Sequence, residues 1–345
     1  MQRNREAMTL AMVQIMVPLV IFLIIAVYPG TAANISQAPD NSSIATFSIV
    51  ARDSSTGELG VAVASRFFAV GSVVPWAKAG VGAVATQSYA NTTFGWRGLE
   101  LLENGMFPEE AIQALLKTDD NPGQRQIGMV AADGRSATYT GKGCNAWAGG
   151  RNGPNYAVQG NILAGEAVVT AVERTFRETT GTLAGRLYAA LAAGDAAGGD
   201  SRGKQSAAML VVKAGAGYGG YTDRGIDIRV DDHTEPFKEL GRLLTIAQVN
   251  YSWNQAWTLF TEKKFAQARP IMERTAQLAP DNPEVLYDLA IIRLQAGQKA
   301  EALEALRKSL TLNQRLKAQA AADNDLLDIR SDTIFQALTK PAENR

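Results

Sequence analysis

Histidine and cysteine are nearly absent from this chain. Across 345 residues there is one of each, His233 and Cys144. A single cysteine excludes an intrachain disulfide. Zinc sites built from several His or Cys ligands are excluded with it. A Ser-His-Asp triad has only His233 to draw on. Net charge is also absent: 34 Lys and Arg balance 34 Asp and Glu. That argues against a nucleic-acid binder working through a basic field. An enzyme built from this chain works with hydroxyls, amines, amides and carboxylates, with no cofactor and no metal expected. What is present is 46% apolar residues. The length corresponds to about two domains, at roughly 100–200 residues each.

Met8 to Tyr28 carry no charge, and Arg3 and Arg5 precede them. A basic start before an apolar run reads as a signal peptide or signal anchor, residues 1–33. The run is long enough to span a bilayer and has no polar face. Thr31-Ala32-Ala33 offers small residues for cleavage. Residues 34–45 are small and polar and read as a linker. The expectation is an exported protein, periplasmic or extracellular, touching a membrane only through this segment. Outside the cytosol, Cys144 is a free thiol or an intermolecular link. The plainer reading is a small buried hydrophobe.

Residues 46–247 alternate strands and helices. Thr46 to Arg52 and Leu59 to Ser65 are β-rich runs around the turn Asp53-Ser-Ser-Thr-Gly57, so they form a hairpin. Val81 to Thr86 is a third strand. Phe94 to Asn104 and Pro108 to Lys117 read as helices. Gln126 to Ala131 and Arg135 to Thr140 form a hairpin around Asp133-Gly134. Tyr156 to Gly160 is a short strand, and helices follow over Ala167 to Glu178 and Leu183 to Ala193. Ser206 to Lys213 and Ile226 to Val230 are strands, and Glu235 to Leu244 starts another helix. Grouped strands and grouped helices predict a layered α+β sandwich of largely antiparallel sheets, not a doubly wound parallel one. Gly198 to Gln205 has P-loop spacing, but Gln205 replaces the magnesium ligand. A helix precedes the loop and a strand follows, the reverse of what a P-loop needs, so nucleotide binding is discarded.

Several segments carry a family resemblance. They are Thr46-Phe-Ser-Ile-Val-Ala-Arg-Asp53, Gly60 to Gly71, Gln159-Gly-Asn-Ile-Leu-Ala-Gly165, Gly198 to Gly203 and Val230-Asp-Asp-His233. Together, in order over about 200 residues, they resemble the DUF1028 family. That family is grouped with the N-terminal nucleophile (Ntn) hydrolases, and some members carry a peptidoglycan-binding module. The resemblance implies a four-layer αββα sandwich and, if active, amide-bond hydrolysis with a cell-envelope role. In such chemistry the first residue of the mature chain attacks the carbonyl. Its own α-amine, of pKa about 7.7–8.0, takes the proton. No histidine is required.

Thr46 opens the first strand and is the candidate nucleophile, provided the Ala45–Thr46 bond is cut. Uncut, it is a β-branched residue at a strand start. Ser65 and Arg66 end the neighbouring strand. Arg66 can hold a substrate carboxylate bidentately or be an ordinary strand-end charge. Asn161 is the candidate oxyanion donor or a turn residue. Lys78, with charge that lowers the nucleophile's pKa, joins Gln87, Asn91, Gln159, Asp232 and His233 in the substrate-binding set. Asp231-Asp232-His233 orients a proton carrier, binds a cation, or belongs to a helix-capping loop. The substrate expected is a small-molecule or peptide-like amide.

From Tyr251 glycine becomes rare and a 34-residue period appears. Trp253 matches Tyr287, Ala256 matches Ala290, Ala268 matches Ala302 and Leu278 matches Leu312. Residues 248–314 resemble tetratricopeptide repeats, where small alanines let paired helices approach. Residues 315–345 form a cap and tail, with a helix over Asp325 to Leu338. Two repeats need support, so the module docks on the sandwich or pairs with another copy. It contacts a protein partner, or serves as a structural cap or homo-oligomerisation element. A catalytically silent binding or assembly protein is therefore the alternative to a hydrolase.

Overall fold

Strands β1 (Thr46–Arg52) and β2 (Leu59–Ser65) form the expected hairpin. The computed structural model describes residues 46–340. The candidate export segment and linker, residues 1–45, lie outside the described residues. Among the described residues no helix is long and apolar enough to cross a membrane.

Eight more strands follow: β3 (Pro75–Lys78), β4 (Gly82–Ser88), β5 (Arg125–Ala131), β6 (Ser136–Thr140), β7 (Gly149–Gly153), β8 (Tyr156–Asn161), β9 (Ser206–Val212) and β10 (Arg224–Val230). They make a six-stranded sheet, β10-β9-β2-β1-β8-β7, and a four-stranded sheet, β3-β4-β5-β6. Every pairing is antiparallel.

Alternation sets the layers, because successive strand residues point to opposite faces. On β1, Phe47, Ile49 and Ala51 pack outward with α3 (Glu166–Glu178), α4 (Leu183–Ala196) and the start of α5 (Pro236–Thr261). Val50 packs inward with Val61, Val63, Ala83, Ala85 and Val130 from both sheets. On the far side Val84, Ile127 and Met129 pack against α1 (Thr93–Glu103) and α2 (Pro108–Leu116). The result is the four-layer αββα sandwich.

α5 runs unbroken for 26 residues. Phe237, Leu240 and Leu244 belong to the sandwich core, and Val249 and Ala256 to the helical module. The expected boundary at 247/248 therefore falls inside one helix. Pro236 sits at the helix start, where its missing N–H costs nothing.

Helices α6 (Phe265–Leu278), α7 (Pro283–Gln295) and α8 (Lys299–Leu312) complete two helix pairs. The periodic alanines Ala256, Ala268, Ala290 and Ala302 are all buried, as close helix approach requires. The cap is not one helix. It is α9 (Leu316–Ala322), a 3₁₀ turn over Asn324–Ile329 and α10 (Thr333–Thr339). Asp332 breaks the run by accepting hydrogen bonds from Ile334 N and Phe335 N, capping α10. The sandwich and repeats form one compact unit.

The period extends to polar contacts. Trp253 Nε1 donates to Asp288 Oδ2 at 2.7 Å, and Tyr287 Oη donates to Asp323 Oδ2 at 2.8 Å. Burial is the main cause that raises the Asp288 carboxyl to about 6, with the charges of Asp323, Asp325 and Glu284 adding to it. A carboxyl raised in the folded state destabilises once ionised. Stability therefore falls as pH rises from about 4 to about 6 and stays lower above. Asp288→Asn keeps an acceptor for Trp253. It is expected to stabilise the chain at pH 7.5 by roughly 1–3 kcal/mol and to do nothing near pH 4. Thermal melts at both pH values check this; an equal effect at both would sink it.

Candidate functional site

The inner face of the sandwich changes character along its length. One end is aliphatic. At the other, four residues line up across four adjacent strands: Asn161 on β8 faces Thr46 on β1, Thr46 faces Ser65 on β2, and Ser65 faces Ser206 on β9. The next row is Gln159, Ser48, Val63 and Ala208. The opposing sheet contributes Gln87 on β4, Gln126 on β5 and Thr140 on β6, also in one row.

All but the half-buried Thr140 are buried, and hydrogen bonds join most of the polar ones. Thr46 is fully buried, and its Oγ1 donates to Ser65 Oγ at 3.1 Å. Ser48 Oγ donates to Gln87 Oε1 at 2.5 Å and accepts from Gln159 Nε2 at 2.6 Å. Gln87 Nε2 reaches the Thr46 carbonyl at 3.2 Å and Gln126 Oε1 at 2.9 Å. Gln126 is the hub. Its Oε1 also accepts from Asn161 Nδ2 at 3.0 Å, and its Nε2 donates to the Gly160 carbonyl at 2.7 Å and Thr140 Oγ1 at 2.9 Å. Gly128 makes room for this layer. A Cβ there would lie 2.0 Å from Gln159 Oε1.

Of the ten residues singled out from the sequence, five meet here: Thr46, Ser65, Gln87, Gln159 and Asn161. Gln126 and Ser48 were missed. Their signal was alternation: a polar residue two positions from an inner-face glycine or valine.

The other five lie elsewhere. Arg66 is exposed at the rim, next to the row; its backbone N–H donates to Asp200 Oδ2 at 2.8 Å. Lys78 pairs with Glu103 at 2.5 Å, half exposed. It sits beside Gly82, at the opposite end of β4 from Gln87. At about 3.3 Å per residue that is about 17 Å along the strand, too far for its charge to act strongly on Thr46. Asn91 receives Thr93 N and Thr93 Oγ1 and donates to Asp119 Oδ2, the work of a helix-start residue. His233 Nδ1 accepts from Glu235 N at 2.9 Å, and Asp232 Oδ1 accepts from Gln205 Nε2 at 3.1 Å. Both are exposed in the loop leading into α5; the helix begins after Glu235 with no side-chain capping hydrogen bond, so neither residue caps it.

Cys144 is half-buried, with Sγ 3.4 Å from the Arg125 carbonyl; burial pushes its thiol up. The glycine-rich loop 198–203 joins the end of α4 to β9, helix before strand. Among the described residues no group of three or more His, Cys, Asp or Glu is placed to hold a metal ion. Five surface clefts of 280–650 Å³ are lined by none of the ten residues. The Thr46 row is a buried, packed layer.

The family described as "Family of unknown function (DUF1028)" matches residues 46–240, more than half of the chain. A tetratricopeptide repeat family matches residues 259–322. Repeats of this type point to protein–protein contacts. Among solved structures, the crystal structure of protein SPO2555 from Silicibacter pomeroyi, assigned to DUF1028, is similar at a TM-score of 0.55 and 30% identity. The likeness covers 59% of this chain and 86% of that one. No curated protein matches. The paired sheets, the polar inner row and the helical module thus have one description: the chain belongs to the DUF1028 family and carries a tetratricopeptide-repeat module behind the family domain.

Proposed function

We propose that this chain is an exported amidohydrolase of the N-terminal nucleophile type, latent until the Ala45–Thr46 bond is cut. The observation that carries the reading is the position of Thr46. It begins a central strand, its side chain faces the other sheet, and Asn161 and Ser65 flank it in register. Cutting the preceding bond frees an α-amine at that position. The amine takes the proton as Thr46 Oγ1 attacks an amide carbonyl of a small-molecule or peptide-like substrate. Asn161 Nδ2, released from Gln126, donates to the oxyanion. The amine then protonates the leaving amine, and water hydrolyses the ester. Burial of the uncut site supports latency, since Thr46 has no access to substrate before processing. Residues 1–33 deliver the chain to the cell envelope.

N-terminal sequencing of the mature protein is expected to read Thr-Phe-Ser-Ile. Thr46→Ala is expected to lower hydrolysis of acyl-amino-acid anilides by about 10³-fold or more. A mature chain starting near Asn34, or hydrolysis that survives Thr46→Ala, overturns the reading.

A further inference from the structure

A cleft of about 650 Å³ opens where the sandwich meets α5 and α6. Its volume lies within the roughly 300–1,000 Å³ of small-molecule sites. It lies far from Thr46. Glu58, in the cleft, precedes β2, and Ser65 ends it, about 20 Å away at strand spacing.

The charges in the cleft do not cancel one another in place. Glu58 is only 8% exposed. Its Oε1 accepts a hydrogen bond from Tyr251 Oη at 2.8 Å. Among the described residues it forms no ion pair, and a buried carboxylate held by one phenol retains demand for a cation. The pairing of Leu59 with Val212 puts Lys213, just past the end of β9, beside it, yet the two side chains form no ion pair either. Arg274 on α6, exposed, adds a second cation without a carboxylate partner among the described residues. Asp53, the other acid there, is already engaged: Arg186 lies 3.5 Å from it, and Ser55 and Thr56 donate to it. The lining also carries an aliphatic share, from Val211, Ile226 and Ile271.

The acidic pole is built rather than incidental. The ring of Tyr251 lies on bare backbone at Gly225, where a Cβ would come within 2.7 Å of it. Only glycine on β10 lets the ring sit low enough to present its hydroxyl to Glu58. Burial, then the Glu58 charge, pushes the Tyr251 phenol up, so it remains a donor.

A buried carboxylate, an arginine without a carboxylate partner among the described residues and an aliphatic wall complement a ligand with an ammonium, a carboxylate and an apolar body. The volume exceeds what one amino acid fills. We propose that this cleft binds short zwitterionic peptides of aliphatic residues, ammonium end on Glu58 and carboxylate end on Arg274. The site stands whether or not Thr46 is a nucleophile.

Calorimetric titration of the full chain with L-alanyl-L-leucine tests this. Saturable binding is expected. The N-acetylated dipeptide lacks the ammonium and the C-terminal amide lacks the carboxylate; each is expected to bind about tenfold weaker or worse. Arg274→Ala, on an exposed position, is expected to weaken the dipeptide about tenfold while leaving the melting temperature unchanged. Glu58→Gln keeps an acceptor for Tyr251 and is expected to lose as much. No saturable binding up to about 10 mM, equal binding of either blocked dipeptide, or undiminished binding by Arg274→Ala overturns the proposal.

Discussion

Gln126→Leu is expected to lower the unfolding free energy by about 3–5 kcal/mol, read as a shift in the urea midpoint. Leucine is of similar size but carries no polar atom. The change strips Asn161 Nδ2 of its acceptor and the Gly160 carbonyl and Thr140 Oγ1 of a donor. Gln87 Nε2 keeps the Thr46 carbonyl at 3.2 Å and is less affected. Each stranded buried group costs about 1–3 kcal/mol, and members of one network lose together. Thr140→Val, which removes a single partner, is expected to cost about 1 kcal/mol. If Gln126→Leu cost no more than Thr140→Val, the layer would not be a connected network.

The second large effect concerns α5. At 1.5 Å per residue the helix is about 39 Å long. Its first half is sandwich core and its second half repeat core. Ile246 lies between and is 49% exposed, so replacing it empties neither core. Ile246→Pro removes a mid-helix hydrogen bond and clashes with the preceding turn, a cost of about 3 kcal/mol or more. Wild-type unfolding in urea is expected as one transition. The variant is expected to show two, with the repeats melting first, because two repeats need a neighbour to stand on. A single transition at the wild-type midpoint would mean the modules are coupled through surface contacts such as Asn254 to Gly217 and Gly219.

Much of this fold was legible in the sequence, for physical reasons that also explain the gaps. β1 and β2 match the sequence expectation residue for residue, because both are β-branched or small runs bounded by turn chemistry. β3 and β7 were not seen. β3 begins with Pro75, which reads as a strand breaker; the strand survives because it is the edge of its sheet. β7 reads Gly-Gly-Arg-Asn-Gly, with no strand former. Its glycines are required by neighbours: a Cβ at Gly149 would lie 2.6 Å from the Trp147 ring, and one at Gly150 2.7 Å from Thr138 Oγ1. Tertiary contact overrides propensity there. At the site, the sequence supplied strand-end residues such as Thr46, Ser65 and Asn161. It did not supply Gln126, because what makes that residue central is register across two sheets. Lys78 shows the converse: adjacency in the chain order suggested proximity that antiparallel pairing turns into opposite ends of a strand.

The inter-sheet layer has a consequence for acid. Its hydroxyls and amides have nothing to protonate, so low pH leaves its bonding pattern intact. The acid-labile points are at the rim. Asp119 is one: burial raises its carboxyl, but hydrogen bonds from Arg125, Asn91 and the Asn121 N–H outweigh this and hold it below the usual range. A lowered carboxyl lends stability that is present above the unfolded value and is lost as pH falls through the folded one. Acid is therefore expected to loosen the Asn91–Arg125 corner, where α1 begins, while the seam between the sheets remains closed.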